Sequence, residues 1–253
     1  MSKGVKVKRC KGKKSFAFFI FHYMKMEFID NYSFIFQRES YSELTKGWIM
    51  IQYDNRPLSE IDSLFCKKNK EYCQKLGYTY RFISEKSDYP PYWTKVKLAY
   101  DILKNENYSG VMWIDTDALV VKDKPIEDFF NGEHEMVFSP DAPIWALQSP
   151  FNAGIWMVKK EGLSILEKWW SKYNPENWVF DGSKWHSNGI WAGDTYEQGA
   201  FSSYVLPDVK SRVLSLDWSI LQDVKPTENS YTLHFSDNQK SLRQTFIDTH
   251  FKL

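Results

Sequence analysis

Cysteine is scarce in this chain of 253 residues, which contains only three. Cys66 and Cys73 fall on one predicted helix, where seven residues rise about 10.5 Å, whereas a disulfide needs Cα atoms within about 7 Å. Cys10 belongs to a basic N-terminal tail. The sequence therefore offers no disulfide framework and no cysteine-based zinc site.

An excess of charge of one sign is also missing. Lys and Arg together number 33, and Asp and Glu number 32. A general nucleic-acid binder would show a dominant basic face, so no nucleic-acid partner is predicted. The phosphate-binding patterns G-x-G-x-x-G and G-K-[ST] are absent as well, and phosphates bound by this chain would depend on a metal ion and lysine rather than on a glycine-rich loop.

Long hydrophobic runs are absent too. The apolar run from Phe16 to Met24 has nine residues, whereas a membrane span needs about 20. It follows a stretch with seven basic residues, "MSKGVKVKRCKGKK". We predict a basic tail and irregular segment over 1–47 and a single domain over 48–253. The tail favours a cytoplasmic protein, and the alternative is a signal anchor that attaches the protein to a Golgi or ER membrane.

From Trp48 onward, strand and helix patterns alternate. "WIMIQYD", "YTYRFIS" and "GVMWI" read as strands, while "LSEIDSLFCKKNKEYCQKLG" and "WTKVKLAYDILKN" read as helices. Ser59 is the expected N-cap of the first helix and Gly77 its C-terminal glycine. This order predicts an α/β sheet with parallel neighbours. In such sheets ligands bind beyond the carboxyl ends of the strands.

Two aspartates with one residue between them follow the strand "GVMWI". Residues i and i+2 of an extended chain point the same way, so Asp115 and Asp117 can reach one Mn²⁺ or Mg²⁺ ion, which prefers oxygen ligands. That ion would bridge a diphosphate and neutralise the charge that develops as the diphosphate leaves. The alternative is a turn in which the two carboxylates cap backbone N–H groups.

Three stretches of this sequence resemble motifs of a known enzyme family. "WTKVKLAYDILKNENYSGVMWIDTDALVV", "FNAGIWMVKK" and "YEQGAF" are similar to nucleotide-sugar glycosyltransferases of the GT-A fold, in particular to the galactosyl/xylosyl/mannosyltransferase group with W-x-K before the metal strand. The resemblance extends from Trp48 to the C-terminus. It implies a Rossmann-like, mixed and mainly parallel sheet flanked by helices. It also implies that Asp115 and Asp117 bind Mn²⁺ and the donor diphosphate.

A second resemblance lies near the C-terminus, where glycogenin-like transferases carry H-x-x-G-x-x-K. His234 and Lys240 keep that spacing, while Asp237 replaces the glycine and leaves the shape of the loop open. The resemblance implies that His234 is a third metal ligand and that Lys240 contacts the diphosphate. Neutral imidazole does ligate Mn²⁺, and an ammonium group pairs with phosphate. A structural histidine after a strand is the alternative.

The resemblance also implies residues around the transferred sugar. Asn152 would bond hydroxyl groups of the donor or acceptor, and the pair Glu197 and Gln198 would lie beside the anomeric carbon as catalytic groups. The alternative for Glu197 is structural, because Asp194 followed by Glu197 matches a capping box at the start of a helix.

The nucleoside would lie over the first strand and the loop "QYDNR" that follows it. Tyr53 would stack on the base, and Asp54 or Arg56 would contact base or ribose. Lys95 of the W-x-K motif is a second basic group for the same pocket.

A long polar segment over 174–193 contains Trp178, Trp185 and Trp191, with Trp170 just before it. A structureless loop of this length is typical of a functional element, and we predict a lid that binds the acceptor. The alternative is a surface excursion held in place by its tryptophans.

Together these patterns predict a metal-dependent glycosyltransferase. It would move a sugar from a nucleotide-sugar donor, with a UDP-sugar favoured, to a glycan or another hydroxyl acceptor. Since the resembled families are mostly retaining, retention is favoured. The alternatives are a sugar-binding relative without catalysis and a haloacid dehalogenase type phosphatase. The phosphatase needs G-D-x-x-x-D, and "GDTYEQ" at 193–198 ends in glutamine instead.

Overall fold

The computed structural model describes residues 25–29, 33–37, 46–130, 132–143, 148–236 and 239–251. The chain divides into two units, Met1–Leu44 and Thr45–Leu253. In the first unit, β1 (Lys25–Ile29) and β2 (Ser33–Gln37) form an antiparallel pair. The apolar run over 16–24 lies outside the described residues. Within the described ranges, no helix is both long and apolar enough to cross a bilayer.

The second unit contains ten strands among its described residues. They are β3 Lys46–Tyr53, β4 Thr79–Ile83, β5 Tyr108–Ile114, β6 Ala118–Val120, β7 Met136–Phe138, β8 Ile155–Lys159, β9 Trp178–Phe180, β10 Trp185–Ser187, β11 Val213–Ser215 and β12 Thr232–His234.

Helices connect and cover these strands. The α-helices are α1 Glu60–Leu76, α2 Pro91–Asn105, α3 Leu163–Trp170, α4 Glu197–Ala200, α5 Leu206–Val209, α6 Trp218–Leu221 and α7 Lys240–His250. A π-helical turn, Phe201–Val205, joins α4 to α5. Short 3₁₀ turns occupy Ile126–Phe129, Lys160–Gly162, Pro175–Asn177 and Lys210–Arg212.

Six strands form the central sheet in the order β11-β7-β8-β5-β3-β4. The pairs β3/β4, β3/β5 and β7/β11 are parallel, whereas β8 runs antiparallel to both of its neighbours. The predicted mixed, mainly parallel sheet is thereby confirmed. Because β8 is reversed, its first residue, Ile155, pairs with the last residue of β5, Ile114. The residues before β8 therefore lie beside those that follow β5.

A smaller two-stranded sheet lies next to this edge. β6 and β12 pair antiparallel, with Ala118 opposite His234. Since β6 begins immediately after Asp117, this register carries the end of β12 to the end of β5. Two segments that are more than 100 residues apart in sequence thus meet at one point.

Local sequence explains how the flanking helices begin and end. The Ser59 hydroxyl accepts a hydrogen bond from the backbone N–H of Asp62, as expected for an N-cap, and Gly77 ends α1 at φ 75°, a left-handed conformation that glycine adopts at little cost. Both predicted caps are confirmed. Pro91 occupies the first turn of α2, where its missing N–H has no helical partner to lose.

Apolar side chains alternate along the central strands and build a core on each face. Ile49 and Ile51 pack on one face with Trp93 of α2 and Ile165 of α3, and Met50 packs on the other with Tyr72 of α1. This period of two buries both faces of β3. The segment over 174–193, which was predicted to be structureless, instead contains the hairpin β9–β10. Trp178 of this hairpin is buried in the core cluster that also contains Trp93.

A substitution at Gly110 in β5 tests how tightly this sheet is packed. A Cβ at Gly110 would lie 2.5 Å from the ring of Trp48, its cross-strand partner in β3, whereas a Cβ at Gly47 would meet nothing within 4 Å. We expect Gly110→Ala to lower the free energy of unfolding by about 1–3 kcal/mol, since overpacking displaces a buried indole. Gly47→Ala is the matched control and should stay within about 0.5 kcal/mol of wild type. Urea denaturation of the three proteins measures both values, and equal stability of the two variants would refute this account of the packing.

Candidate active site

The structure brings three predicted ligand residues together at the carboxyl edge of the sheet. Asp115 and Asp117 follow β5, His234 ends β12, and their ligand atoms all lie within 4.8 Å of one another. An ion that binds ligands at about 2.1 Å places opposite ligands about 4.2 Å apart. Two carboxylates and an imidazole are donors that Mn²⁺ and Mg²⁺ accept. The residues present therefore fit a divalent cation.

Backbone hydrogen bonds fix the loop that carries the two aspartates. The N–H of Asp115 donates to the carbonyl oxygen of Gly154 at 2.8 Å, and the carbonyl oxygen of Asp117 accepts from the N–H of Phe235 at 3.0 Å. The carboxylate of Asp115 accepts from the side chains of Trp113, at 2.7 Å, and Lys95. These side-chain donors argue against the alternative in which Asp115 caps backbone N–H groups.

Glycine at position 154 makes room for the imidazole. A Cβ there would lie 2.3 Å from Cε1 of His234, which is closer than any side chain can tolerate. The imidazole of His234 therefore approaches the backbone of Gly154 closely. The side-chain oxygen of Asn152 holds this turn by accepting from the N–H of Gly154 at 2.8 Å.

Gln222, at the end of α6, orients the imidazole of His234. Its Oε1 lies 2.6 Å from Nδ1 of His234, so Nδ1–H donates to it, and Nε2 of the ring faces Asp117 Oδ1 at 3.4 Å. A histidine that ligates a metal commonly donates its other N–H in this way. The Gln222 side chain is buried, and among the described residues its Nε2 has no hydrogen-bond partner. No sequence motif identifies Gln222.

Asp117 and His234 change each other's protonation. Burial disfavours both charged forms, yet the attraction between them raises the pKa of His234 and lowers the pKa of Asp117 relative to their ordinary values. When His234 is protonated, its positive charge offsets the negative charge of Asp117. A divalent cation between them would replace this proton, since only neutral imidazole ligates a metal.

Lys95 lies inside the site between two carboxylates. Its Nζ is 3.0 and 3.1 Å from the two carboxylate oxygens of Asp115 and 3.6 Å from Oε1 of Glu197, and it donates to the carbonyl oxygen of Ala153 at 3.2 Å. Burial lowers the pKa of Lys95, but the two carboxylates outweigh it and raise the pKa overall. The structure thus places Lys95 against Asp115 and Glu197.

Glu197 begins α4 and is buried. Burial raises its pKa, and the charge of Lys95 opposes that change. The alternative of a capping box that begins at Asp194 is wrong, because α4 begins at Glu197 with Tyr196 as its N-cap residue. Asp194 instead accepts from the hydroxyl of Tyr204 at 2.7 Å. Glu197 therefore does not belong to a box with Asp194, and its carboxylate instead accepts from the backbone N–H groups of Glu197 and Gln198 in the first turn of α4.

Asp141 connects the other two predicted catalytic residues. It accepts from Nδ2 of Asn152 at 2.8 Å and at longer range, 3.4 and 3.5 Å, from Nε2 of Gln198. Gln198 Oε1 in turn accepts from the N–H of Ala153 at 3.0 Å. Burial raises the pKa of Asp141. Asp141 is not among the residues predicted from the sequence, although its place three residues after the buried strand β7 is a signal of the same kind as the one that identified Asp115.

Asp54 and Arg56, which are predicted to contact the nucleoside, form an ion pair with each other. Arg56 donates to the Asp54 carboxylate from Nε at 2.9 Å and from Nη2 at 2.8 Å. Burial would raise the pKa of Asp54, but Arg56 lowers it overall. The hydroxyl of Thr116, between the two aspartates, donates to Asp54 at 3.3 Å, which places this pair beside the metal loop. Tyr53 is buried in the core cluster that contains Trp93.

Two predicted features near the C-terminus lie outside the described residues. They are the loop position Asp237 and the side chain of Lys240. The backbone of Lys240 begins α7, six residues after His234. The contact between Lys240 and a diphosphate stays a prediction.

Comparisons with known proteins identify the fold. No protein-family model matches the chain, and no curated protein matches its sequence. A glycosyltransferase involved in the glycosylation of the major capsid of PBCV-1 aligns with a TM-score of 0.61 and 18% identity, over 80% of this chain and 98% of that chain. This similarity shows a common fold, so the chain has the GT-A type of fold that the sequence resemblance implies.

More distant structures align less closely. A Drosophila β1,4-galactosyltransferase 7 in complex with manganese, UDP-Gal and xylobiose gives a TM-score of 0.45 at 12% identity, over 77% of this chain and 73% of that chain. A glycosyltransferase of Streptococcus pneumoniae gives 0.45 at 15% identity, over 81% and 59%. The fold assignment rests on the PBCV-1 glycosyltransferase alone.

The orientation of His234 by Gln222 leads to a prediction about metal affinity. Gln222→Ala should weaken Mn²⁺ binding about 10- to 100-fold, the usual cost of removing a group that orients a ligand. Gln222→Glu should keep affinity near the wild-type value, because a carboxylate also accepts from Nδ1–H. Titration with Mn²⁺, followed by the electron paramagnetic resonance signal of the free ion, measures the dissociation constants.

The exposed Gln244, which donates to Asp248 on α7, supplies the control variant Gln244→Ala. Thermal unfolding in the presence of a chelator should show that the metal-free variants remain folded. Unchanged Mn²⁺ affinity in Gln222→Ala would refute the assigned role of Gln222.

Proposed function

We propose that this protein is a metal-dependent glycosyltransferase. It transfers a sugar from a nucleotide-sugar donor, with UDP as the favoured nucleotide, to a glycan or another hydroxyl acceptor. The observation that carries the proposal is the convergence of Asp115, Asp117 and His234 at the carboxyl edge of the sheet. A fold by itself does not fix an activity, and it is this site on this fold that supports the assignment.

Three residues would hold the cation, and a fourth would contact the diphosphate. Asp115, Asp117 and His234 supply the ligand atoms, and Lys240 follows at the start of α7 as a partner for the phosphates. A bound divalent cation supplies Lewis-acid stabilisation of the negative charge on the departing diphosphate. The chain's own contribution is positional, because Gln222 and Lys95 fix the imidazole and one carboxylate before the donor arrives.

The nucleoside would bind beside the end of β3. Arg56 holds the carboxylate of Asp54 next to Thr116, so a ribose or base that bonds to Asp54 would extend directly toward the metal loop. Tyr53 would border this pocket from the core side. The proposed order from nucleoside to diphosphate thus follows the edge of the sheet from β3 to β5.

Glu197, Gln198 and Asn152 would surround the transferred sugar. The carboxylate of Glu197 is buried near Lys95, and a negative charge held in a dry site stabilises positive charge that develops at an anomeric carbon. Asn152 and Gln198 each donate one amide N–H to Asp141, and the second N–H of each amide would donate to sugar hydroxyls. Retention of configuration is the part of the proposal that depends on the sequence resemblance.

The two alternative functions lack specific support. A sugar-binding relative without catalysis would have no reason to keep all three ligand residues. For the phosphatase, the residue that should be acidic is Gln198, which donates to Asp141 and accepts from Ala153. The glycosyltransferase accounts for both observations.

Removing either carboxylate of the metal loop tests the proposal. Asp115→Asn and Asp117→Asn should each lower Mn²⁺-dependent hydrolysis of the UDP-sugar at least ~100-fold, because stabilisation of the leaving diphosphate is worth several kcal/mol. A panel of UDP- and GDP-sugars, assayed for release of nucleoside diphosphate with and without Mn²⁺, identifies the donor first. The anomeric configuration of the product, read by proton NMR, then distinguishes retention from inversion.

Asp123→Asn is the matched control. This exposed aspartate follows β6 and pairs with Lys75 away from the three ligand residues, so its loss should leave hydrolysis unchanged. Wild-type turnover in either metal-loop variant, or turnover in wild type that is independent of the metal ion, would disprove the proposed mechanism.

A further inference from the structure

Few large apolar side chains are exposed among the described residues, and three of the exposed ones lie between residues 179 and 191. Val179 in β9 and Ile190 and Trp191 before α4 are 65%, 85% and 68% exposed, respectively. Trp93, Trp113, Trp156 and Trp169 are instead fully buried. Ile190 and Trp191 shortly precede Glu197 in the sequence, and exposed apolar side chains next to a candidate catalytic residue are typical of a binding surface.

The backbone holds Trp191 in a fixed position. The carbonyl oxygen of Ile190 accepts from the N–H of Gly193 at 3.0 Å, and the carbonyl oxygen of Gly193 accepts from the N–H of Tyr196 at 2.9 Å. Ala192 adopts φ 57°, a left-handed conformation that a non-glycine residue seldom takes. Gly199 of α4 packs so closely on this turn that a Cβ would lie 2.1 Å from the carbonyl oxygen of Gly193.

Neighbouring rings fix the orientation of the indole. Trp191 makes edge-to-face contacts with Tyr92 and Tyr196, each with ring centroids 5.2 Å apart. Tyr92 and Tyr196 also pack against each other and against Trp178. These contacts favour one orientation of the exposed ring, so its open surface is organised before any ligand binds.

This aromatic cluster adjoins the candidate active site. Tyr196 immediately precedes Glu197, and Tyr92 lies on α2 one turn before Lys95. Burial and the charge of Glu197 raise the pKa of Tyr92 to about 12, against the opposing charges of Lys95 and Arg56. Tyr92 therefore links the exposed indole to the groups proposed to surround the transferred sugar.

We propose that Trp191 and Tyr92 form the acceptor subsite and that the acceptor is a saccharide, a step that rests on the proposed function. One face of a pyranose ring carries C–H groups that stack on an indole, while its edge carries hydroxyls that a phenol hydroxyl can bond. The site offers both features, an open indole and a polar group next to the reacting centre. A peptide or lipid would instead need a longer continuous apolar groove.

Fluorine NMR on protein labelled with 5-fluorotryptophan tests the subsite directly. The Trp191 resonance is the one absent from Trp191→Phe. Addition of lactose, maltose, xylobiose or mannobiose should shift it, and Trp191→Ala should raise the KM for the responding saccharide about 10-fold or more, as removal of an anchoring aromatic does. Leu242→Ala on α7 removes another exposed apolar side chain, and saccharide binding and turnover should be unchanged in that control.

The possible outcomes distinguish a failure of the acceptor subsite from a failure of the proposed glycosyltransferase function. Donor hydrolysis to water by the wild-type protein reports the proposed function without any acceptor. If hydrolysis occurs but no saccharide of the panel shifts the Trp191 resonance, the acceptor subsite is overturned while the function stands. A shift caused only by an apolar peptide, tested alongside, also overturns it. If a saccharide shifts the resonance but no nucleotide-sugar is hydrolysed, the saccharide site stands and the proposed function falls.

Discussion

The site depends on how the negative charge of three neighbouring carboxylates at the end of β5 is balanced. The side chains of Asp115 and Asp117 are half-buried and that of Glu197 is buried, and an ionised carboxylate withdrawn from water is costly unless a positive charge pairs with it. Lys95 contributes one positive charge and His234 at most one more, so three ionised carboxylates keep a net negative charge. A divalent cation would balance this excess, which is the electrostatic reason for the donor set.

The reversed strand β8 explains why sequence patterns identified only part of this site. Two aspartates after a buried strand are visible in the sequence, as are the caps of α1, because local periodicity and turn chemistry determine them. The direction of β8 is set by pairing with β5 and β7 across long sequence separations. That pairing delivers Asn152 and Gly154 to Asp115, and it brings Asn152 into contact with Asp141. The mistaken capping box has a similar origin, since Tyr204 engages Asp194 through tertiary structure.

The surroundings of His234 likewise combine a feature that is visible in the sequence with features that depend on tertiary structure. The spacing between His234 and Lys240 pointed to the histidine, yet the features that make it a suitable ligand come from elsewhere in the chain. Gln222 lies 12 residues earlier and fixes the proton on Nδ1. Gly154 approaches from the central sheet and leaves space for the ring. Neither residue follows a spacing rule relative to His234, because their proximity depends on how β6 and β12 meet the edge of the larger sheet.

Tryptophan is abundant in the sequence, and its interpretation as a sugar-stacking residue needs the structure. Three buried tryptophans use their indole N–H to hold separate parts of the site, namely the carboxylate of Asp115 by Trp113, the carbonyl oxygen of Thr195 by Trp93 and that of Glu197 by Trp169. A buried indole combines a large apolar surface with one directional donor, so each fixes a loop end to the core. Only an indole with an open face can stack on a ligand. Among the tryptophans that the structure describes, burial thus separates those that position the catalytic segments from the exposed Trp191 beside them.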